Sequence, residues 1–446
     1  MSPDEVLSAI EERFLRRSLT PAERIVLGQT WNQRTYDQMA QQSGYGDAHL
    51  KDTGYKLWRE ISQALGQRVT KKSLLFVLQD YLQSSASISS RPSKTKSRAL
   101  TPDRSPVQYP YPAGPLPYNS RLYIHRPPNE EIAHAAIQQP GGLLRIKAPQ
   151  KMGKTSLVFQ LIQTAKKQGL GLAYIDLQAV DSVVLSELST FLKWLCSRTS
   201  QELQLQPKID EYWEPLMGHK VSSEIYFQEY ILKQHEAPVV LIISAAEDLI
   251  EHVNLAQDFF PLLRAWHEKA KWSSIWRNLR IVIVHSTEIY VPLKISQSPF
   301  NIGQSIKLPG FTVNQIYELA SRYGLGEIDQ LRAERLLDLT GGHPYLINIF
   351  FYYLAMQGLA FADLMNAAST PSGIYGTHLR QYLALLNQES DLVTAFQQVI
   401  STPEPVELDA ITLYRLESLG LVNIQGYRAV PSCQIYRLYF QQQLGI

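Results

Sequence analysis

Residues 142–157 read Gly142-Leu-Leu-Arg-Ile-Lys-Ala148-Pro-Gln-Lys151-Met152-Gly153-Lys154-Thr155-Ser156-Leu157. A short apolar strand runs into a tight loop, and Gly-Lys-Thr then opens a helix. That order suits the phosphates of a nucleotide, because loop N–H groups and the positive end of a helix dipole converge on one anion. Lys154 adds a mobile charge, and Lys151, Met152, Gly153 and Ser156 complete the cradle. The Thr155 hydroxyl is placed to ligate a magnesium ion bridging the phosphates. In the general pattern G-x-x-x-x-G-K-[ST] the first glycine is Ala148 here, which the loop tolerates if that position keeps a negative φ.

Outward from this stretch the pattern is α/β. Apolar runs at 172–177, 239–243, 281–285 and 305–308 alternate with helical segments. Near-continuous apolar strands separated by helices predict a parallel sheet buried on both faces, here a P-loop nucleotide-binding domain over 121–310. The helix after the loop ends properly, with Lys166 and Lys167 in its last turn and Gly169 beyond. Residues 311–385 read as a helical lid: Thr312 caps one helix, another spans 328–339, and Gly341-Gly-His-Pro344 precedes an apolar third. Over 386–446, helices followed by two short strands joined across Gln425-Gly426 outline a winged helix.

Residues 1–83 read as a small all-α domain. Thr20, Pro21 and Glu23 make a helix start, Gly44 turns the chain, and Asp47 begins a third helix running to about Leu65. With the small Ala40 four residues before Gly44, this is helix-turn-helix geometry. Residues 35–72 then offer His49, Lys51, Lys56, Arg59, Arg68, Lys71 and Lys72 to DNA, although a protein-interaction module would look the same. Residues 84–120 are Ser/Pro-rich and basic, which reads as a linker, flexible first and stiffer toward Tyr109-Pro-Tyr-Pro.

A net charge of +2 supplies no global pull toward nucleic acid or anionic membrane, so any such contact must be local. Two cysteines, Cys196 and Cys433, make neither a disulfide framework nor a zinc site, as expected of a cytoplasmic protein. Neither a signal core nor an apolar run of membrane-spanning length is present.

Taken with Tyr123-Ile-His-Arg126-Pro127-Pro, His285-Ser-Thr-Glu288 and Gly341-Gly-His-Pro344-Tyr, the phosphate loop resembles that of AAA-like P-loop ATPases of bacterial signalling systems. These are relatives of the STAND and origin-recognition ATPases. The resemblance implies a five-stranded core with the phosphate-loop strand central, an adenine nucleotide (ATP or ADP) and magnesium. It assigns Gly153, Lys154 and Thr155 to the phosphates and metal. Arg126 and Pro127 fall in the segment over the adenine, and Pro344 ties the nucleotide to the lid.

One departure matters. The family ends its third strand with Asp-Glu, the Asp holding magnesium through water and the Glu orienting the attacking water. Here Ser244 and Ala245 take those places, and Glu247-Asp248 follow late. Glu288 is the one other candidate carboxylate near the γ-phosphate, in a position more often occupied by a polar sensor. The resemblance therefore implies a regulatory switch that binds adenine nucleotide with weak or no hydrolysis and presents modules to a protein partner or to DNA. Its rivals are an active ATPase that assembles as an oligomer on DNA or a partner, and a DNA-binding regulator with a structural nucleotide. Arg264, Arg277 and Arg280 are the candidates for an arginine finger.

Overall fold

The structure, a computed structural model, describes residues 17, 19–31, 36–65, 109–286, 298–326 and 328–445. Glu288, Arg68, Lys71, Lys72 and residues 84–108 lie outside them. The chain divides into two compact units, 1–104 and 105–446.

The first unit packs α1 (Pro21–Trp31), α2 (Tyr36–Ser43) and α3 (Asp47–Leu65) around Val26, Leu27, Met39, Leu50 and Leu57. Its start is the predicted capping box: the Thr20 N–H donates to Glu23 at 2.8 Å, and the Glu23 N–H to the Thr20 hydroxyl at 3.4 Å. Gly44, at φ 74°, makes the turn between α2 and α3. Arg17 grips Glu23 at 2.8 Å and Glu60 at 2.6 Å, tying the start of α1 to α3. That guanidinium holds the Glu23 carboxyl down at about 2. His49, Lys51, Lys56 and Arg59 all reach the surface of α3.

The second unit is built on a five-stranded parallel sheet ordered β2-β3-β4-β1-β5. The strands are β1 (Leu143–Lys147), β2 (Gly171–Asp176), β3 (Val239–Ser244), β4 (Leu279–His285) and β5 (Gln304–Lys307). Every residue of β3 and β4 is buried, as strands covered by helices on both faces must be. The middle strand is β4. The phosphate-loop strand β1 lies one place off centre, since only the short, half-exposed β5 follows it. Two apolar clusters cover the faces, one around Phe191, Phe259 and Trp266, the other around Leu157, Leu161 and Ile137.

A third cluster is shared by everything after Pro309. It joins α4 (Val313–Arg322), α5 (Gln330–Thr340) and α6 (Pro344–Gln357) to α7 (Ser390–Ser401), α8 (Ala410–Leu419) and α9 (Gln434–Leu444) through Leu319, Phe350, Tyr375, Phe396 and Phe440. Three short antiparallel strands, β6 (Val406–Glu407), β7 (Val422–Gln425) and β8 (Arg428–Pro431), sit in it in the order β6-β8-β7. The expected turn is at Gly426, φ 65°. The lid and C-terminal segments, distinct in the sequence pattern, thus form one packed body.

Within that body, the segment just after Pro309 packs on Gly341-Gly342. The Phe311 N–H donates to the Gly342 carbonyl at 2.6 Å, and a Cβ on Gly342 (φ 74°) would lie 2.4 Å from the Phe311 carbonyl. Left-handed backbone and a clash with another main chain leave no escape by side-chain motion. Gly342→Ala should therefore lower unfolding stability by about 3 kcal/mol, read as a shift in urea midpoint. An unchanged midpoint would show that this junction is not tightly held.

Candidate functional site

The phosphate loop runs between β1 and the helix Lys154–Lys167. Lys151 and Gly153 both have positive φ, 60° and 90°, so the loop curls into a concave run of backbone amides, an anion nest. Ala148 is buried and, unlike Lys151, keeps a negative φ, so the missing glycine costs the loop nothing. Lys154 folds back, donating to the Ala148 carbonyl at 2.8 Å and the Pro149 carbonyl at 2.9 Å. Burial lowers its pKa to about 8, against an opposing pull from Glu247. A phosphate is a stronger partner than either carbonyl.

Beside the loop is a cavity of about 240 Å³. Arg126, Lys151, Gly153, Lys154, Thr155, Ser156 and Pro344, all read from the sequence, line it together. Pro127 does not; it is exposed on the far side of Arg126. The Met152 side chain is buried against the sheet, and only its carbonyl faces the site, accepting from Arg126 Nη1 at 2.7 Å. Arg126 is 3% exposed, and its Nη2 sits over the bare Cα of Gly153, where a Cβ would approach to 3.0 Å. Its Nε finds no acceptor among the described residues, and burial pulls its pKa down. A buried cation with an open donor beside an amide nest is suited to an anion.

Sequence reasoning missed the opposite wall. Residues 112–116, placed in the linker, line the cavity, and the Leu116 N–H donates to the Ser156 hydroxyl at 2.9 Å. Tyr109 and Tyr118 anchor the segment through the Arg322 carbonyl at 3.1 Å and Gln160 at 3.0 Å. From Tyr109 onward, the expected linker therefore packs against the second unit. The available signal was its tyrosines and leucine, apolar surface that a free linker has no use for.

The C-terminal body closes the other side of the loop. Gly420, which ends α8 in a left-handed turn, comes so near that its missing Cβ would be 2.7 Å from Pro149 Cβ. Lys151 reaches Gln381 at 3.1 Å, and Lys307 reaches Glu417 at 2.6 Å. His343 has a structural role: its Nδ1 accepts the Tyr345 N–H at 3.2 Å and caps α6. The three finger candidates are engaged within the chain. Arg264 holds Glu268 and Asn301, Arg277 the Ala270 carbonyl, and Arg280 the Arg277 carbonyl.

At the end of β3, Ser244 pairs in register with Asp176 of β2, and both Ser244 and Ala245 are 8% exposed. No carboxylate occupies either position. Among the described residues no cluster of three or more His, Cys, Asp or Glu side chains is placed to hold a metal, and no helix is long and apolar enough to cross a membrane.

Over residues 111–442 the chain matches the AAA-like domain family, and over 1–81 the N-terminal helix-turn-helix of vWA-MoxR associated proteins. The chain belongs to the AAA-like domain family. Of solved structures, this AAA-like chain is similar to the Walker-type ATPase of Pyrococcus abyssi, at 12% identity and a TM-score of 0.51, covering 74% of this chain and 99% of that one. The ORC2 protein of Aeropyrum pernix follows at 16%, 0.38, 74% and 96%. Domain III of the Thermotoga maritima replication initiation protein DnaA gives 17%, 0.32, 54% and 91%. The first likeness establishes a Walker-type ATPase fold, compatible with nucleotide binding. No curated protein sequence matches the chain.

Proposed function

We propose that this AAA-like protein is a cytoplasmic switch that binds an adenine nucleotide and turns it over slowly or not at all. The observation that carries the reading is the contrast at one sheet edge: a complete phosphate nest with Lys154 and Thr155, beside a β3 that ends in Ser244-Ala245. Losing a water-positioning carboxylate removes orders of magnitude in rate, because positioning and electrostatics are most of this catalysis. In the 240 Å³ cavity the base and ribose lie among Leu116, Ile124, Phe311 and Tyr345, with Arg126 and Lys154 toward the phosphates. The Thr155 hydroxyl fits a magnesium ion carried by those phosphates.

The seating of Gly420 on Pro149 supports a route for the output. A loop that changes shape with its nucleotide pushes on the C-terminal body, whose helix–strand–strand outline is that of a winged helix. The N-terminal module is then presented to a protein partner. Its match to the vWA-MoxR associated module favours a component of such a system over DNA, and the Asp52–Lys56 pair at 2.7 Å leaves the face of α3 only modestly cationic.

The test is to denature freshly purified protein and identify what it releases. About one ADP or ATP per chain is expected. Protein that carries no nucleotide, and binds none when ATP or ADP is added, would sink the reading.

A further inference from the structure

The backbone leaves β3 through Ala245, whose left-handed φ of 57° turns it back over the sheet edge. Glu247 is thereby brought beside the end of β4, where one carboxylate oxygen, Oε1, accepts the Ser286 hydroxyl. The other, Oε2, is sealed from solvent and meets no donor among the described residues. A buried carboxylate oxygen left without a donor costs about 1–3 kcal/mol or more, so its position calls for a donor from beyond the described residues. Glu247 also favours the charged form of Lys154, which puts it within electrostatic reach of the phosphate-loop lysine. Between Glu247, Ser286 and Gln150 of the loop lies a hollow of about 80 Å³, several times what one water requires.

Building on the nucleotide reading above, we infer that Glu247 is the catalytic carboxylate of a slow ATP hydrolysis, its Oε2 accepting a hydrogen bond from the attacking water. The water oxygen bonds to the γ-phosphorus as the bond from that phosphorus to the β–γ bridging oxygen breaks. The bridging oxygen keeps the electron pair and leaves as ADP. One water proton passes to Glu247 and on to solvent, and the other stays on the released phosphate. Ser286 is a positioning residue that fixes which carboxylate oxygen faces the water. Residue 245 carries only a methyl group, so the duty has passed two residues along the chain, to a carboxylate held by the neighbouring strand. Asp248 adjoins the same hollow, but burial first, and then Glu247, push its pKa up to about 6. The oxygens of Asp248 are not among the sealed ones that lack a donor, so the geometry singles out Glu247.

The experiment is single-turnover release of labelled phosphate from [γ-32P]ATP by excess full-length protein with magnesium, alongside ATP affinity. Wild-type protein is expected to release phosphate slowly. Glu247→Gln should cut the rate at least about tenfold while ATP affinity stays within about threefold, because a general base acts on the step and not on binding. Ser286→Ala should slow release several-fold, and Asp248→Asn should leave it within about threefold. Equal rates for wild type and Glu247→Gln, or ATP that binds and releases no phosphate, would overturn the assignment and leave the nucleotide switch standing. Failure to bind ATP at all would instead remove the reading on which the assignment rests. Glu247→Gln is isosteric, and an unchanged melting temperature guards against an unfolded variant.

Discussion

Lys154→Ala is expected to weaken ATP and ADP binding at least about a hundredfold. The lysine both shapes the loop, through its bonds to the Ala148 and Pro149 carbonyls, and faces the incoming phosphates. A charge-assisted hydrogen bond in a dry site is worth about 3 kcal/mol, which is about a hundredfold in affinity. Its pKa of about 8 adds a signature of its own. Bound phosphates keep the lysine charged, so above pH 8 binding must take up a proton and affinity falls as pH rises. Wild-type affinity at pH 9 should be about tenfold weaker than at pH 7, and Lys154→Ala should lose that slope. Isothermal titration across this range reads both effects. An alanine variant that binds within threefold of wild type would place the nucleotide elsewhere.

Acid should dismantle the second unit from the site outward. His343 and His378 face each other with ring centroids 5.8 Å apart, and burial lowers their pKa values to about 4 and about 2. An unfolded chain binds these protons near pH 6.5 and the folded one does not, so the unfolded state holds more protons below that value. Stability is then fully present above about pH 6.5 and declines as pH falls. His343 contributes a loss of about 3 kcal/mol by pH 4 and His378 about as much over the same range, the His378 share growing further toward pH 2. His343→Asn keeps an acceptor for the Tyr345 N–H that caps α6 but cannot titrate. It should roughly halve the decline between pH 6.5 and 4.5 in urea midpoints measured on the full chain, His378 carrying the rest. An equal slope in wild type and variant would assign the acid sensitivity to other groups.

Much of this molecule was legible because its signals are local. Gly153-Lys154-Thr155 is a contiguous pattern, β3 and β4 are unbroken apolar runs, and Thr20-Pro21-Ala22-Glu23 caps its helix within one turn. Ser244 and Ala245 were equally plain, since a missing carboxylate needs only a count from the strand end. What escaped depends on contacts far apart in the chain. Nothing near Pro112 tells that it faces Lys154, because the two meet only when the polyproline-like segment folds back over the loop. Sheet order has the same character: β1 sits off centre because β5 alone flanks its outer edge, while β4, β3 and β2 lie on the other side. Pro127 was assigned by its neighbour. Arg126 turns inward to the Met152 carbonyl, and the next residue turns out to solvent.

The shared core after Pro309 has a mechanical consequence. Leu122 and Ile124 belong to it, and Tyr109 and Leu116 pack against it, so the polypeptide arriving from the N-terminal module is riveted to the C-terminal body as well as to the sheet. Phe396 and Phe440 are in one packed piece with Leu319 and Phe350, which leaves no internal seam along which that body can bend. Rotation relative to the sheet would therefore be carried by the few residues around Pro309, between β5 and α4, as a door turns on a short pin. The incoming arm would be pulled along with the door. A torque applied at the phosphate loop would then reach Tyr109 through the backbone that the C-terminal body holds.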